Sequence, residues 1–293
     1  MPTIRQLKRR IQSVKNSAKI TNALQLVAAS KMRRAQDRAG QARPYAEKMR
    51  GVLAGLSTQA QADDRDDDDS LHSWLETRPV RNIAVLHVTP DRGLCGGLNS
   101  NINRSGGTFV AMQHEPVQVV AVGKKGRDFF TRAHVHISAE FTGLGDYPAQ
   151  AETLGIARVI IDDYLAGNVD RVYISYSEFV STATQRPVVR QLLPIEPPAS
   201  EGTSSALTDY IFEPSPQEVL ARLLPRYIEM QIYEAVLQNA ASFQSAQMVA
   251  MKNATDNAND ITRELTLTYN KTRQEQITKE LLDIVGGAAA LED

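Results

Sequence analysis

The chain has 293 residues, a formal net charge of −1, 42% hydrophobic and 23% charged residues, which reads as one or two soluble, globular domains. No apolar run approaches the roughly 18 residues that a bilayer span needs, and the basic opening MPTIRQLKRR lacks the apolar stretch of a secretory signal. With Cys95 as its single cysteine the chain has no intrachain disulfide, which suits a reducing compartment.

The near-neutral total hides an asymmetry. Residues 1–50 carry 13 Lys and Arg against 2 Asp and Glu, a net of +11, and the remainder carries 20 against 32, a net of −12. A basic first segment on a neutral protein suggests an acidic partner or surface for that segment. From Thr3 to Ala39 there is no Gly or Pro. Alternate steps of three and four from Ile4 land on Leu7, Ile11, Val14, Ala18, Thr21, Gln25, Ala28, Met32, Ala35 and Ala39, and the stepping continues to Leu56. That spacing predicts a coiled-coil seam whose alanines allow a partner helix to come close. A helix over Thr3–Ser57 would reach about 80 Å, with a kink expected at Pro44.

An acidic linker over residues 58–79 is expected around Asp63–Asp69. Strands are predicted at 81–88, 117–122, 134–138 and 171–178, with a further one at 188–192. Helices at 124–132 and 150–166 alternate with them, the pattern of an α/β layer domain over 80–206 that ends in a loop at 196–206. Ser215-Pro-Gln-Glu218 carries a capping-box pattern with Pro at the first helical position. Pro225 is expected to separate a short helix from a longer one that starts near Arg226. Ile228, Ile232, Ala235, Phe243, Ala246, Ala250, Ala254, Ile261 and Leu265 then keep helical spacing within a C-terminal segment, 207–293. Neither long helix, this one or that of residues 1–57, can bury its stripe alone, and antiparallel pairing would bury both.

The stretch Thr89–Asn99, TPDRGLCGGLN, follows a strand, the place where many proteins cradle a phosphate. Gly93, Gly96 and Gly97 do not have the G-x-G-x-x-G spacing of dinucleotide sites, and Gly93 plus five falls on Leu98 where a phosphate loop needs Gly-Lys. Gly123-Lys-Lys-Gly126 matches neither pattern. The spacing favours a tight strand-to-helix turn with left-handed residues. No H-E-x-x-H, G-x-S-x-G or cysteine cluster is present. His134 and His136 would share one face of a strand without a third metal ligand, and Cys95 has no visible base to activate it.

Read together, several stretches resemble the gamma subunit of F-type ATP synthases over nearly the whole chain. They are Ile4–Ile11, Ser13–Lys15, Lys19–Thr21 and Leu26–Met32 for its first helix, and Asp91–Asn99 for its signature loop. Met248–Asn257, Tyr269–Gln274, Ile277–Leu281 and Gly287–Ala290 are similar to its last helix. The resemblance implies an antiparallel coiled coil of the terminal helices with a central Rossmann-like α/β domain. It implies a rotor shaft that is not itself catalytic, inside a ring of α and β subunits that hold the nucleotide. The foot would lie beside an epsilon subunit and the membrane rotor ring, on the cytoplasmic face of a bacterial membrane. No cofactor and no metal are implied.

On that resemblance Lys8, Arg9, Arg10, Lys31, Arg33 and Arg34 would face acidic loops of β, and Arg273 and Gln274 would make a polar contact to β. The tip Ile284–Leu291 would turn in an apolar collar, and the loop of Gly93, Cys95, Gly96 and Gly97 would serve packing below the ring. Two departures stand out. Phe243 and Gln247 replace a Glu and an Arg four residues apart, which points to a hydrophobic contact in place of an ion pair. Ser105-Gly-Gly107 is expected to shorten or break the helix after the loop. The competing readings are an α/β enzyme with helical arms, disfavoured by the missing sites, and a coiled-coil nucleic-acid binder or scaffold. The apolar seam inside the basic segment speaks against nucleic acid, because that seam needs a partner helix.

Overall fold

Strand β1 (Ile83–Val88) is buried along its whole length, because in the sheet order β3-β2-β1-β4-β5 it is central. It pairs in parallel with β2 (Val117–Val122) and with β4 (Arg171–Phe179), so that Val85 lies between Val119 and Tyr173. β3 (Ile137–Phe141) extends the parallel sheet beyond β2, and β5 (Gln185–Leu193) returns antiparallel along β4. Parallel strands covered on both faces need apolar residues on both, which is why Ile83–Val88 reads as a run and not as an alternation. The computed structural model describes residues 3–62, 74, 78–195 and 215–292. The acidic run 63–69 and the expected loop 196–206 lie outside them.

The chain divides into two compact units, Ala29–Ala246 and the pair Met1–Ala28 with Gln247–Asp293. In the larger unit the two sheet faces have separate cores. Ala84, Leu86, Val88, Val120 and Val122 pack with Ile156, Ile160 and Tyr164 of α4 (Gln150–Leu165). Leu220, Leu224, Ile228 and Ile232 of the last helix, α5 (Pro216–Glu292), join that cluster, as does Met49 of the first helix, α1 (Ile4–Ala62). On the opposite face Ile83, Val85, Val119 and Ala121 pack with Phe109 of α2 (Leu98–Ala111) and with Phe129 and Phe130 of α3 (Lys124–Arg132).

Several expectations need correction here. α2 is unbroken through Ser105-Gly-Gly107. A Cβ on Gly106 would lie 2.7 Å from the His87 ring and one on Gly107 2.9 Å from Phe129, so these glycines bring α2 close to β1 and to α3 at the expense of propensity. Helix α5 also passes through Pro225 without a separate element on either side; α1 runs on through Pro44, where a kink and not a break is expected. The lost hydrogen bond is a local cost that packing of the flanking turns outweighs. β3 starts at Ile137 and not at 134. His134 has a φ of 55° in the preceding turn, so it and His136 do not share a strand. Ser215 does cap α5, its hydroxyl accepting from the Glu218 amide at 3.2 Å.

In the smaller unit the seam stands where its spacing predicts. Leu7, Ala18 and Ala28 are buried, Ile4, Ile11, Val14, Thr21 and Gln25 are half-buried, and the residues between them are mostly exposed. Thr21 Oγ1 and Thr255 Oγ1 lie 2.7 Å apart, joining the two helices at one point. The facing stripe of α5 runs through Met251, Thr255, Ala258, Thr262, Leu265, Tyr269 and Thr272. Ile261 lies off this stripe and is 43% exposed, because the heptad passes through Ala258 and Thr262 instead. Stepping outward from Thr21 and Thr255 in antiparallel sense sets Val14 opposite Thr262, Ile11 opposite Leu265 and Leu7 opposite Tyr269.

Candidate functional site

The turn between β1 and α2 is a strand-to-helix turn with left-handed residues at Leu94 (φ 62°) and Gly96 (φ 58°). Cys95 and Leu98 point inward and join Ile102, Phe243 and Ala246 in a small apolar cluster. Phe243 is thus buried against the loop, and the hydrophobic contact expected at that position is present. Gly93 and Gly97 have open space or only a loose contact where a Cβ would stand. Burial pushes the Cys95 thiol above its ordinary range, so it stays protonated and a poor nucleophile.

Charge collects beside this turn on Asp146. Its carboxylate accepts from Lys31 Nζ at 2.7 Å, from Gln244 Nε2 at 3.0 Å and from the Arg92 guanidinium. Burial alone would raise the Asp146 carboxyl, but the hydrogen bond from Lys31 and the charges of Arg92 and Lys31 hold it below the usual carboxylate range. The structure therefore joins Lys31 to the signature loop through one acidic residue. Arg33 and Arg34 in the same unit are exposed. In the smaller unit Lys8, Arg9, Arg10, Arg273 and Gln274 are exposed as well. Because the pairing sets Ile4 opposite Thr272, those five residues gather toward one end of that unit. From Arg273 to Val285 every residue of α5 is exposed, including Ile277, Leu281, Leu282, Ile284 and Val285.

The turn at the start of α3, where a phosphate could sit, is filled by the protein itself. Asp91 accepts from the Lys124 amide at 2.9 Å and from the Gly143 amide at 2.8 Å, Thr89 Oγ1 accepts from the Gly126 amide at 2.7 Å, and Pro90 O accepts from the Lys125 amide. An anion at the start of α3 would have to displace a carboxylate. Gly123 is required there, for at φ 91° its Cβ would lie 1.9 Å from the Thr89 carbonyl oxygen.

Sequence reading missed Asp146, whose partners lie 54 to 115 residues away. It also missed a buried polar network around His87. Asn103 Nδ2 donates to the Lys125 carbonyl, so Asn103 Oδ1 faces His87 Nε2 at 3.0 Å and must accept from it. His87 Nδ1 is then left to accept from the Ser175 hydroxyl at 3.1 Å. Burial lowers the His87 imidazole from 6.5 to about 4, against the Asn103 hydrogen bond. The only sequence signal for this network is a histidine inside an apolar strand. Among the described residues no group of three or more His, Cys, Asp or Glu could hold a metal ion.

A family model described as ATP synthase matches residues 3–291. An ATP synthase gamma chain of Dehalococcoides mccartyi is 54% identical over 291 residues, 99% of this chain and 100% of that one. The chain belongs to the ATP synthase gamma family. The gamma chain of Roseiflexus castenholzii is 49% identical over 295 residues, covering 99% of both chains. Among solved structures, the fold matches a chain of the Euglena gracilis mitochondrial ATP synthase OSCP/F1/c-ring assembly with a TM-score of 0.66 at 20% identity, covering 98% of this chain and 94% of that one. A chain of the Tetrahymena thermophila mitochondrial ATP synthase central stalk and c-ring matches with a TM-score of 0.60 at 21% identity, covering 80% and 99%. The gamma family thus accounts for both units, the paired terminal helices and the α/β domain. Among the described residues no helix is long and apolar enough to cross a membrane.

Proposed function

We propose that this chain is the central rotor shaft of an F-type ATP synthase, coupling ion flow through a membrane rotor ring to conformational cycling of catalytic β subunits. The observation that carries the reading is family membership over 99% of the chain, together with the fully exposed stretch Arg273–Val285 of α5. A helix that pairs with its own chain up to Thr272 and then presents Ile277, Leu281 and Leu282 to the outside needs surroundings that another protein supplies. On this reading the partners are α and β ring subunits, an epsilon subunit and the membrane rotor ring. The chain is non-catalytic, peripheral to the cytoplasmic face of a bacterial membrane, and nucleotide is held elsewhere. The start of α3, filled by Asp91 and Thr89, supports that division of labour.

The exposed Lys8, Arg9, Arg10, Arg33, Arg34, Arg273 and Gln274 serve as contacts to β, made in some rotary states and lost in others. A shaft biases its ring only through contacts that differ between states. Lys31 acts indirectly, by fixing the loop through Asp146. The nucleic-acid reading finds no support in the relatives, and the seam it would need free is occupied by α5. The test is co-purification of the tagged full chain from its native membranes under gentle conditions. α, β and epsilon subunits are expected in one particle with the rotor ring, and recovery of the chain alone or on nucleic acid would overturn the reading.

A further inference from the structure

A cavity of about 410 Å³ lies in the larger unit at the carboxyl ends of β1, β2 and β3, with one stretch of α5, from Val236 to Gln244, along its wall. That volume is in the range of small-molecule sites, and the carboxyl ends of parallel strands are where α/β sheets take ligands. Most of the wall is apolar, with Val88, Val122, Phe141 and Phe243 among its residues. Its two carboxylates already have partners, and of its two cations Arg92 pairs with Asp146 while Lys124 is exposed. Asp91 is held by the Lys124 and Gly143 amides, and Asp146 by Lys31, Arg92 and Gln244.

What is left over is a pair of amide oxygens. Asn239 is 5% exposed and Gln244 1%, both line the cavity, and neither Asn239 Oδ1 nor Gln244 Oε1 has a hydrogen-bond partner among the described residues. The orientation of the Gln244 amide is forced, because its NH₂ donates to the Asp146 carboxylate, which can only accept. Its oxygen is therefore an acceptor left waiting for a donor, and buried polar atoms in native folds nearly always have one. The two free oxygens are acceptors and call for a donor, which an anion does not bring, and a cation at Asp146 would have to compete with Lys31 and Arg92.

We propose that this cavity binds a small uncharged molecule with an apolar body and N–H or O–H donors, which hydrogen-bond to the side-chain oxygens of Asn239 and Gln244. Such a ligand would bridge the strand ends and α5 inside one unit. The proposal goes beyond the shaft reading and does not depend on it.

The test uses the full chain in solution and 4-hydroxybenzamide as the probe, which carries donors at both ends of an apolar ring. A control, 4-methoxy-N,N-dimethylbenzamide, keeps the ring and removes the donors. Ligand-observed NMR titration is expected to show saturable binding of the probe with a Kd of about 1 mM, ordinary for a molecule of its size. The control should bind at least about tenfold more weakly, since it leaves both oxygens unpaired. Asn239→Leu, which keeps the volume and removes one acceptor, should weaken the probe by about tenfold. Ala240→Phe, which fills the cavity, should abolish binding, and circular dichroism reports whether each variant is folded. Absence of saturation up to about 20 mM would overturn the proposal, as would a cavity holding water alone. Equal affinity of probe and control, or unchanged affinity in folded Asn239→Leu, would overturn it too.

Discussion

His87 makes one residue answerable for part of the acid sensitivity of the fold. Its folded pKa of about 4 lies below the unfolded value of 6.5, so the neutral ring is favoured in the folded state. The stability this gives is fully present above pH 6.5 and is lost as pH falls from there toward 4, by up to about 3 kcal/mol. Chemical denaturation followed between pH 7 and 4 should show that slope, and His87→Ala should flatten it while lowering stability at pH 7. Asp146 acts in a different window. Its folded value lies below the usual 3.8, so its contribution is present above that value and is lost only as pH falls further. At neutral pH, Asp146→Ala should cost about 1–2 kcal/mol, a figure held down by the partial exposure of Lys31 and Arg92. Arg273 is the opposite case. Arg273→Ala should leave thermal melting of the chain unchanged but alter ATP hydrolysis and proton pumping by a reconstituted complex, by the equivalent of about 1.5–3 kcal/mol at most. Unchanged turnover with a lowered melting temperature would make it a structural residue.

At the scale of elements, two glycines in helices predict opposite outcomes. In Gly106→Ala the new methyl group would lie 2.7 Å from a ring atom of His87 that two hydrogen bonds hold in place. Overpacking should cost about 1–3 kcal/mol, more than the 0.5–1 or so that helix propensity returns. Gly40→Ala, with nothing within 4 Å, should stabilise by about 0.5–1 kcal/mol. Urea unfolding of the two variants beside the parent chain checks both signs. The same contrast explains what the sequence disclosed. β2 and α3 stand where their patterns predict them, because a short apolar run and an amphipathic stretch between turn residues are local signals. Helix α2 was not legible across Gly106 and Gly107, since propensity cannot register rings that approach from other elements, His87 from β1 and Phe129 from α3. Nor was Asp146, for three donors distant in the chain give a short Gly-Asp turn no local signature. His134 and His136 misled because two spaced histidines imitate a strand that begins three residues later.

For the molecule as a whole the long helices carry the most consequential expectation, their register. Thr21→Cys with Thr255→Cys should form a disulfide under mild oxidation, because the two hydroxyl oxygens already lie 2.7 Å apart. Ile11→Cys should be trapped with Leu265→Cys and not with Met251→Cys, which stands about four turns back along the same helix of the antiparallel pair. Mass spectrometry of the cross-linked peptides reads the outcome, and a product joining Ile11 to Met251 would mean another pairing. The seam was readable because a heptad repeats a single instruction along the chain. Where the seam ends, at Thr272, the lesson of the pattern ends with it, and the exposed turns beyond are defined by what surrounds them.

Cys95, the one thiol in 293 residues, is 3% exposed beneath the loop it belongs to. A folded chain can therefore be alkylated only when that loop lifts from Phe243 and Ala246. The labelling rate, divided by that of an unstructured thiol at the same pH, is an equilibrium constant for lifting. Phe243→Ala should raise it while the sheet stays closed. The chain thus carries its own clock for one small motion, readable in the free subunit and again within an assembled particle, with no foreign probe attached.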